Sequence, residues 1–287
     1  MKIIFYSLVL LAVYLVIGLL VYLFKKQKTV IENNKKDTSA AQVDPGIYDA
    51  DYYLHAYSGD VSKYLSNLGN LSVLMQSCYK LAELKPEEKV LDLGCGRGDL
   101  SFFCVLQGFK VTAVDYSEGA VKLAQKTREM LPKDKQNNLI IKQSDFKVLD
   151  ESEKYDVVFM ADFVEHLHNW ELKLLFEKMQ KILRPKTGRL IIHTAPNRNW
   201  INIIFPLKKI LDWPGTILKG KDFHYKRDKY SYDAEMHVNE LTPTGLRKFL
   251  KNYNAKVWCD DDSSNIISQL TKNFAGSNIW CVAKTKV

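Results

Sequence analysis

The segment Val90-Leu91-Asp92-Leu93-Gly94-Cys95-Gly96-Arg97-Gly98-Asp99 constrains the fold more than any other part of the chain. A run of strand character enters three glycines at alternate positions, and an apolar stretch of helical character follows. Glycine accepts positive φ and lets the backbone approach a ligand closely. Free N–H groups at such a turn and at a helix start can bind polar or anionic groups. A second apolar run ends at Asp115, 21 residues after Gly94. A carboxylate placed there can accept both hydroxyls of a ribose. The glycine turn alone is a weak signal; the turn with an acid at this distance is a stronger one.

The rest of the chain from residue 89 repeats the strand–helix alternation. Strands are expected at Lys89–Leu93, Lys110–Asp115, Leu139–Gln143, 156–160 and Arg189–Thr194, with helices near Asp99–Leu106, 117–130 and 170–183. Residues 48–84 read as helical and aromatic-rich. Thr242 and Pro243 mark a later helix start, and 255–259 and 278–283 supply two last strands. The pattern predicts an α/β, Rossmann-like fold: a seven-stranded, mostly parallel sheet with helices on both faces. Residues 197–240 break the alternation. The stretch is long, basic and rich in aromatics, too apolar for a simple linker, and is expected to be a lid over the site.

Residues 3–24 form an uncharged run of 22. As a helix it would span about 33 Å at ~1.5 Å per residue, a match to a hydrocarbon core about 30 Å thick. A cleaved signal peptide is the alternative, but its apolar region is shorter, about 7–15 residues. Lys25, Lys26, Lys28, Lys35 and Lys36 follow the run, against Lys2 before it. The positive-inside rule then gives a single-pass membrane anchor with the large domain cytoplasmic. The expected organisation is a membrane helix at 1–24, a polar linker at 25–46 and one catalytic domain at 47–287. The net charge of +8 is compatible with an anionic surface such as lipid headgroups. Five cysteines without C-x-x-C spacing argue against a disulfide framework or a structural zinc site.

The sixth position of the glycine turn is Asp99, where a nicotinamide-binding turn would carry glycine. The pattern G-x-G-x-G, with Asp92 before it, instead resembles motif I of the class I S-adenosylmethionine-dependent methyltransferases. The resemblance runs on through Ser144-Asp145-Phe146, through Tyr155 to Leu167 with its Glu165-His166-Leu167 element, and through Leu183-Arg184-Pro185-Lys186-Thr187-Gly188. Lys186-Thr187 departs from the family's L-x-P-G-G turn. The resemblance covers the chain from about Tyr48 onward and is of the methyltransferase type 11/12 kind.

It implies S-adenosylmethionine as cofactor. Asp92, Gly94, Cys95 and Gly96 would form the turn that lines its methionine part. Asp115 would hold the ribose, Tyr116 and Phe146 would flank the adenine with Asp145 on its edge, and Ala161 backbone would lie near the sulfonium. His166 is the candidate base for a hydroxyl acceptor, or a group that only shapes the pocket. His237 is a second candidate at the end of the lid. Asp162-x-x-Glu165-His166 resembles the E-x-x-E-H element of ubiquinone-pathway O-methyltransferases, which can bind a divalent metal. Asp162, Glu165 and His166 would be its ligands here, but such a set is not selective by itself, and no metal is expected to be required. The expected activity is methyl transfer, first of all O-methylation, to a small-molecule or lipid-linked acceptor. A nicotinamide-dependent oxidoreductase and a non-catalytic membrane-anchored scaffold are the alternatives. No RNA-binding module is visible, so a nucleic-acid partner is not expected, and the sequence sets no oligomeric state.

Overall fold

The computed structural model describes residues 40–204, 236–260 and 276–286. Seven strands form one sheet: β1 Lys89–Leu93, β2 Lys110–Asp115, β3 Leu139–Gln143, β4 Val157–Ala161, β5 Arg189–Thr194, β6 Tyr253–Asp260 and β7 Asn278–Thr285. Their spatial order is β3-β2-β1-β4-β5-β7-β6. The first five run parallel. β7 lies antiparallel between β5 and β6, so the sheet is mixed at one side.

The described helices are α1 Ala50–Leu54, α2 Val61–Ser66, α3 Val73–Ala82, α4 Asp99–Leu106, α5 Glu118–Glu129, α6 Asn169–Ile182 and α7 Pro243–Phe249. Alternate strand residues point to opposite faces, which produces two core layers. Leu91, Val158, Met160, Leu190 and Ile192 pack toward α6 and α7. Val90, Val111, Val157, Phe159 and Ile191 pack with residues of α3, α4 and α5. Both faces are covered, so the central strands read as near-continuous apolar runs. Each fully buried side chain of this size contributes about 1.5–3 kcal/mol over exposure, which makes the central strands a stiff base. β3 and β6 are the edges, and Ile140 of β3 is half exposed.

Helices leave β1 and β4 toward opposite sides, because β2 and β5 flank them outward. A crevice opens outside the carboxyl ends of two such strands, and ligands bind there in open α/β sheets.

The element boundaries differ from expectation in places. β4 starts at Val157, not 156, although Asp156 N donates to the Lys89 carbonyl and its own carbonyl accepts from Arg189 N; its carboxylate also joins the strand ends. Its Oδ2 accepts from Lys89 N at 2.9 Å and its Oδ1 from Arg184 Nε at 2.7 Å. α6 begins at Asn169, where the Glu171 side chain accepts from His168 N at 3.1 Å, the return half of a capping box. Thr242 caps α7 by accepting from Gly245 N, with Pro243 in the first turn as its sequence indicated. The last two strands are longer than their apolar cores, since their mutual pairing runs from Tyr253↔Thr285 to Asp260↔Asn278.

Three further expectations concern the linker, the N-terminal run and the lid. Gln42–Gly46, assigned to the linker by composition, belong to the compact unit Gln42–Val287. The run at 3–24 lies outside the described residues, among which no helix is long and apolar enough to cross a membrane. Of the expected lid, 205–235 lie outside the described residues. Its start includes a single π-helical turn at Trp200–Ile204, and Met236 at its end is buried.

Candidate active site

The crevice floor is the glycine turn between β1 and α4. Gly94, Gly96 and Gly98 have φ of 73°, 53° and 82°, a region costly for residues with a Cβ. Aromatic rings also crowd the turn. A Cβ at Gly94 would lie 2.4 Å from the Phe163 ring, and one at Gly96 would lie 3.1 Å from the Tyr53 ring. Gly94 N and Cys95 N both donate to the Val114 carbonyl, at 2.9 and 3.1 Å, which ties the turn to β2.

Asp115 closes β2 and is buried. Its Oδ2 accepts from Gly96 N at 2.9 Å and its Oδ1 from Ser117 N at 3.0 Å. The carboxylate therefore clamps the turn to the start of α5. Burial pushes its pKa up, against the pull of those N–H bonds. Asp92 lies under the turn, also buried, and accepts from Ser101 Oγ at 2.6 Å. Burial raises its pKa to about 6. Its role visible here is to hold α4 beneath the turn. Burial also pushes the Cys95 thiol well up, so it stays protonated and un-nucleophilic. All five cysteines are free and buried.

Beyond Asp115 lies a cavity of about 460 Å³, lined at one side by Tyr116, Gln143, Ser144 and Asp145 and at the other by Gln42–Pro45. Its volume falls in the range of small-ligand pockets, roughly 300–1,000 Å³. Asp145 Oδ1 accepts from Lys147 N at 2.8 Å. Its Oδ2 accepts from Gln42 Nε2 at 2.8 Å and from Lys147 Nζ at 2.9 Å. Burial would raise its pKa, but these bonds outweigh it and hold the carboxyl below its ordinary value. Phe146, expected on the adenine face, is packed in the core and does not line this cavity. Tyr116 does line it, 5.7 Å from the Tyr48 ring.

At the end of β4, Ala161 is followed by Asp162 with φ 51°. The expected trio of Asp162, Glu165 and His166 is split. Asp162 Oδ1 pairs with Nδ1 of the buried His193 at 2.7 Å. Glu165 is buried, its Oε2 accepting from Thr194 Oγ1 at 2.8 Å. Burial, reinforced by the charge of Asp162, lifts its pKa well above the carboxylate range. In place of Asp162 the fold brings His237 to Glu165 and His166. One ligand atom from each of these three lies within 4.8 Å of the others, a group able to hold a metal ion.

His166 Nδ1 lies 2.9 Å from Tyr48 Oη and 3.1 Å from the Met236 carbonyl. A carbonyl only accepts, so Nδ1 carries the proton and Nε2 is left with the lone pair. Burial and the neighbouring His237 lower the His166 pKa to about 4, so the ring is neutral at physiological pH. The rings of His166 and His237 stand 5.0 Å apart.

Of the residues singled out in the sequence, the fold brings the turn, Asp115, Tyr116, Asp145, His166 and His237 to the crevice; Gln42, Tyr48, Tyr53 and Lys147, which were not singled out, stand against them. The aromatic run at 48–53 was visible, but no spacing rule places it over a turn some 45 residues away.

Comparisons with known proteins agree with this geometry. Residues 70–260 match the family model described as a methyltransferase domain. The ubiquinone biosynthesis O-methyltransferase of Rickettsia bellii is 28% identical over 196 residues, 66% of this chain and 77% of that protein. The (S)-coclaurine N-methyltransferase of Papaver somniferum is 29% identical over 119 residues, 38% of this chain and 31% of that one. Among solved structures, the methyltransferase domain of bacterial CtHen1-C superposes with a TM-score of 0.54 at 18% identity, over 76% of this chain and 100% of that one. The glycopeptide N-methyltransferase MtfA complexed with S-adenosylmethionine gives 0.50 at 14% identity, over 74% and 94%. The positive-φ turn, the buried strand-end carboxylate and the adjoining cavity fit an adenosine cofactor. With its sheet order, its glycine turn and a family match spanning most of its length, the chain belongs to the methyltransferase domain family and is a class I S-adenosylmethionine-dependent methyltransferase.

Proposed function

We propose that this enzyme methylates a hydroxyl group on a small acceptor dissolved in or linked to lipid. The observation that carries the reading is the buried, neutral His166 on the turn after β4, its Nδ1 held by Tyr48 and the Met236 carbonyl and its ring beside His237. S-adenosylmethionine supplies an electrophilic methyl group when bound. Gly94, Gly96 and Asp115 would hold it at the floor, and Tyr116 and Asp145 at the adenine end. An acceptor hydroxyl becomes a strong nucleophile only as it loses its proton. His166 Nε2 accepts that proton, while the Met236 carbonyl and Tyr48 Oη keep the ring oriented. A hydroxyl acceptor is supported by the relative named as an O-methyltransferase.

The lipid side of the proposal rests on the N-terminal run. An anchor at 3–24 with lysines after it would leave the catalytic domain cytoplasmic and close to the bilayer. A tethered domain meets a membrane-dissolved acceptor at raised effective concentration. In this reading the chain divides into an anchor at 1–24, a linker now ending near Ala41, and the catalytic domain beyond.

The test is methyl-labelled S-adenosylmethionine with the full chain in vesicles, offered a lipid extract or a water-soluble metabolite fraction. Label in the organic phase that resists mild alkaline hydrolysis and is released as methyl iodide by hydriodic acid marks an ether, and thus O-methylation of a lipid-soluble hydroxyl. Label confined to water-soluble amines would overturn both the acceptor atom and the membrane reading.

A further inference from the structure

The segment at 42–53 touches the glycine turn, the start of α5 and the turn after β3. Ser117 Oγ donates to the Tyr48 carbonyl, and Tyr116 Oη donates to the Val43 carbonyl at 3.4 Å. Arg97, within the glycine turn, donates from Nη1 to the Tyr53 carbonyl at 2.8 Å. The Tyr53 ring covers Gly96. The segment also crosses α5 at Gly119 with no room to spare. A Cβ there would stand 2.8 Å from the Tyr48 carbonyl oxygen and 2.9 Å from Ala50 N. The strap is therefore packed backbone to backbone against α5, whose N-cap is Ser117.

At its leading end, Gln42 enters the cavity beside Asp145. Its Oε1 accepts from Lys147 Nζ at 2.9 Å, and Nε2 donates to Asp145 Oδ2 at 2.8 Å. This fixes the orientation of the carboxamide, since an ammonium only donates and a carboxylate only accepts. Nε2 has two N–H groups, and the bond to Asp145 uses one. Asp145 Oδ1, bonded to Lys147 N, has a second lone pair. One donor and one acceptor thus stand side by side on a lysine-neutralised pair. That is the complement of the adenine edge, in which N6–H donates and N1 accepts.

We infer that Gln42 is a specificity residue of the cofactor site: together with Asp145 it reads the amino-purine edge of the adenosine, so the strap forms the second wall of the base subsite. The inference rests on the cofactor lying in this crevice. Gln42 supplies the N–H for N1, Asp145 accepts from the amino group, and Lys147 holds both side chains in register. A hypoxanthine base reverses the pattern, with a carbonyl at position 6 and a donor at N1. A site built on hydrogen bonds rejects such a base, because its own polar groups are left unpaired.

The experiment is calorimetric titration of the full chain in detergent with S-adenosylhomocysteine and with S-inosylhomocysteine. The wild type is expected to prefer the adenosyl compound by about tenfold or more. Gln42→Glu replaces the donor with an acceptor and should cut that preference about tenfold, in part by improving inosyl binding. Gln42→Ala should weaken adenosyl binding about fivefold. Tight adenosyl binding with an unchanged preference in Gln42→Glu would overturn the role of Gln42 while leaving the cofactor site in place. Equal wild-type affinity for the two compounds would overturn base reading by the pair. Failure of the wild type to bind either compound would remove the cofactor from this crevice, and the inference with it.

Discussion

The floor and the roof of the crevice are built on different principles. The floor is made by neighbours: the glycine turn, Asp115 and Ser117 are joined by backbone N–H bonds within or between adjacent strands. The roof is made by side chains far apart in the chain. Gln42 meets Asp145, Tyr48 meets His166, and His166 meets Met236 and His237. Backbone bonds fix a shape that most side chains can share. A roof of converging side chains fixes chemistry. Substitutions in the two regions should therefore separate binding and stability from turnover.

The largest separation is expected at His166. His166→Ala should lower kcat about 10²–10³-fold, the usual reach of general base catalysis, with S-adenosylhomocysteine affinity nearly unchanged. The pH dependence sharpens the assignment. A base whose pKa is lowered to about 4 is already unprotonated at pH 5 and above. With an acceptor that ionises well above neutrality, kcat should show no limb of this group near the ordinary 6.5, and should fall only as pH approaches about 4. A clear limb near 6.5 that disappears in His166→Ala would contradict the buried, neutral imidazole seen here.

Asp92 tests the floor through stability. Its pKa is raised from the ordinary 3.8 to about 6 by burial. Between those values the folded chain binds more protons than the unfolded one, so this group's contribution is fully present below about pH 4 and is lost as pH rises through about 6. The displacement corresponds to about 3 kcal/mol at neutral pH. Asn at this position cannot ionise and can still accept from Ser101. Urea unfolding should show the stability of Asp92→Asn, relative to wild type, rising with pH between about 4 and 6 and then levelling. A difference that stays flat across that window would mean that Asp92 is not held in a dry site.

The contrast also explains what was legible in the sequence. The floor was, because its rules are local: alternating glycines, a strand-end acid at fixed spacing and apolar runs of the right length. β1, β2, β3 and β5 fall at their expected residues for the same reason. The roof was legible only as residue types. His166 and His237 could be singled out, but 70 residues separate His166 from the Met236 carbonyl that sets its tautomer. Nothing local says that Asp162 turns to His193, leaving His237 to take its place near Glu165. Phe146 was placed on the adenine by the family resemblance, and in the fold it sits on a 3-10 turn with its ring packed in the core.

Gly119 joins the two regions, and its substitution should act on binding with a smaller effect. Gly119→Ala puts a methyl group 2.8 Å from the Tyr48 carbonyl oxygen and must shift the strap. The nearest atoms to that methyl group are all backbone atoms of the strap, at Tyr48, Asp49 and Ala50. S-adenosylhomocysteine affinity is expected to fall about tenfold by calorimetry, from the loss of one or two polar contacts of about 0.5–1.5 kcal/mol each. The melting temperature should change by only a few degrees, on the order of 4 °C. An unchanged affinity would show that the strap can move without the cofactor sensing it.

The smallest effect belongs to Tyr48, and it decides whether the roof acts as a unit. Tyr48→Phe keeps the buried ring against Tyr116 and His166 and removes only the hydroxyl at 2.9 Å from Nδ1. The Met236 carbonyl still accepts from the same nitrogen. The tautomer should therefore persist and the ring should lose only part of its orientation. We expect kcat to fall about two- to fivefold, in line with one neutral hydrogen bond of about 0.5–1 kcal/mol. The pH profile should keep its shape, because burial and His237, not Tyr48, set the low basicity of His166. If the hydroxyl acts only through His166, Tyr48→Phe should have no further effect in the His166→Ala background, the signature of coupled neighbours. Equal losses in both backgrounds would instead place the Tyr48 hydroxyl on the acceptor itself, and would make it a second catalytic group rather than a support for the first.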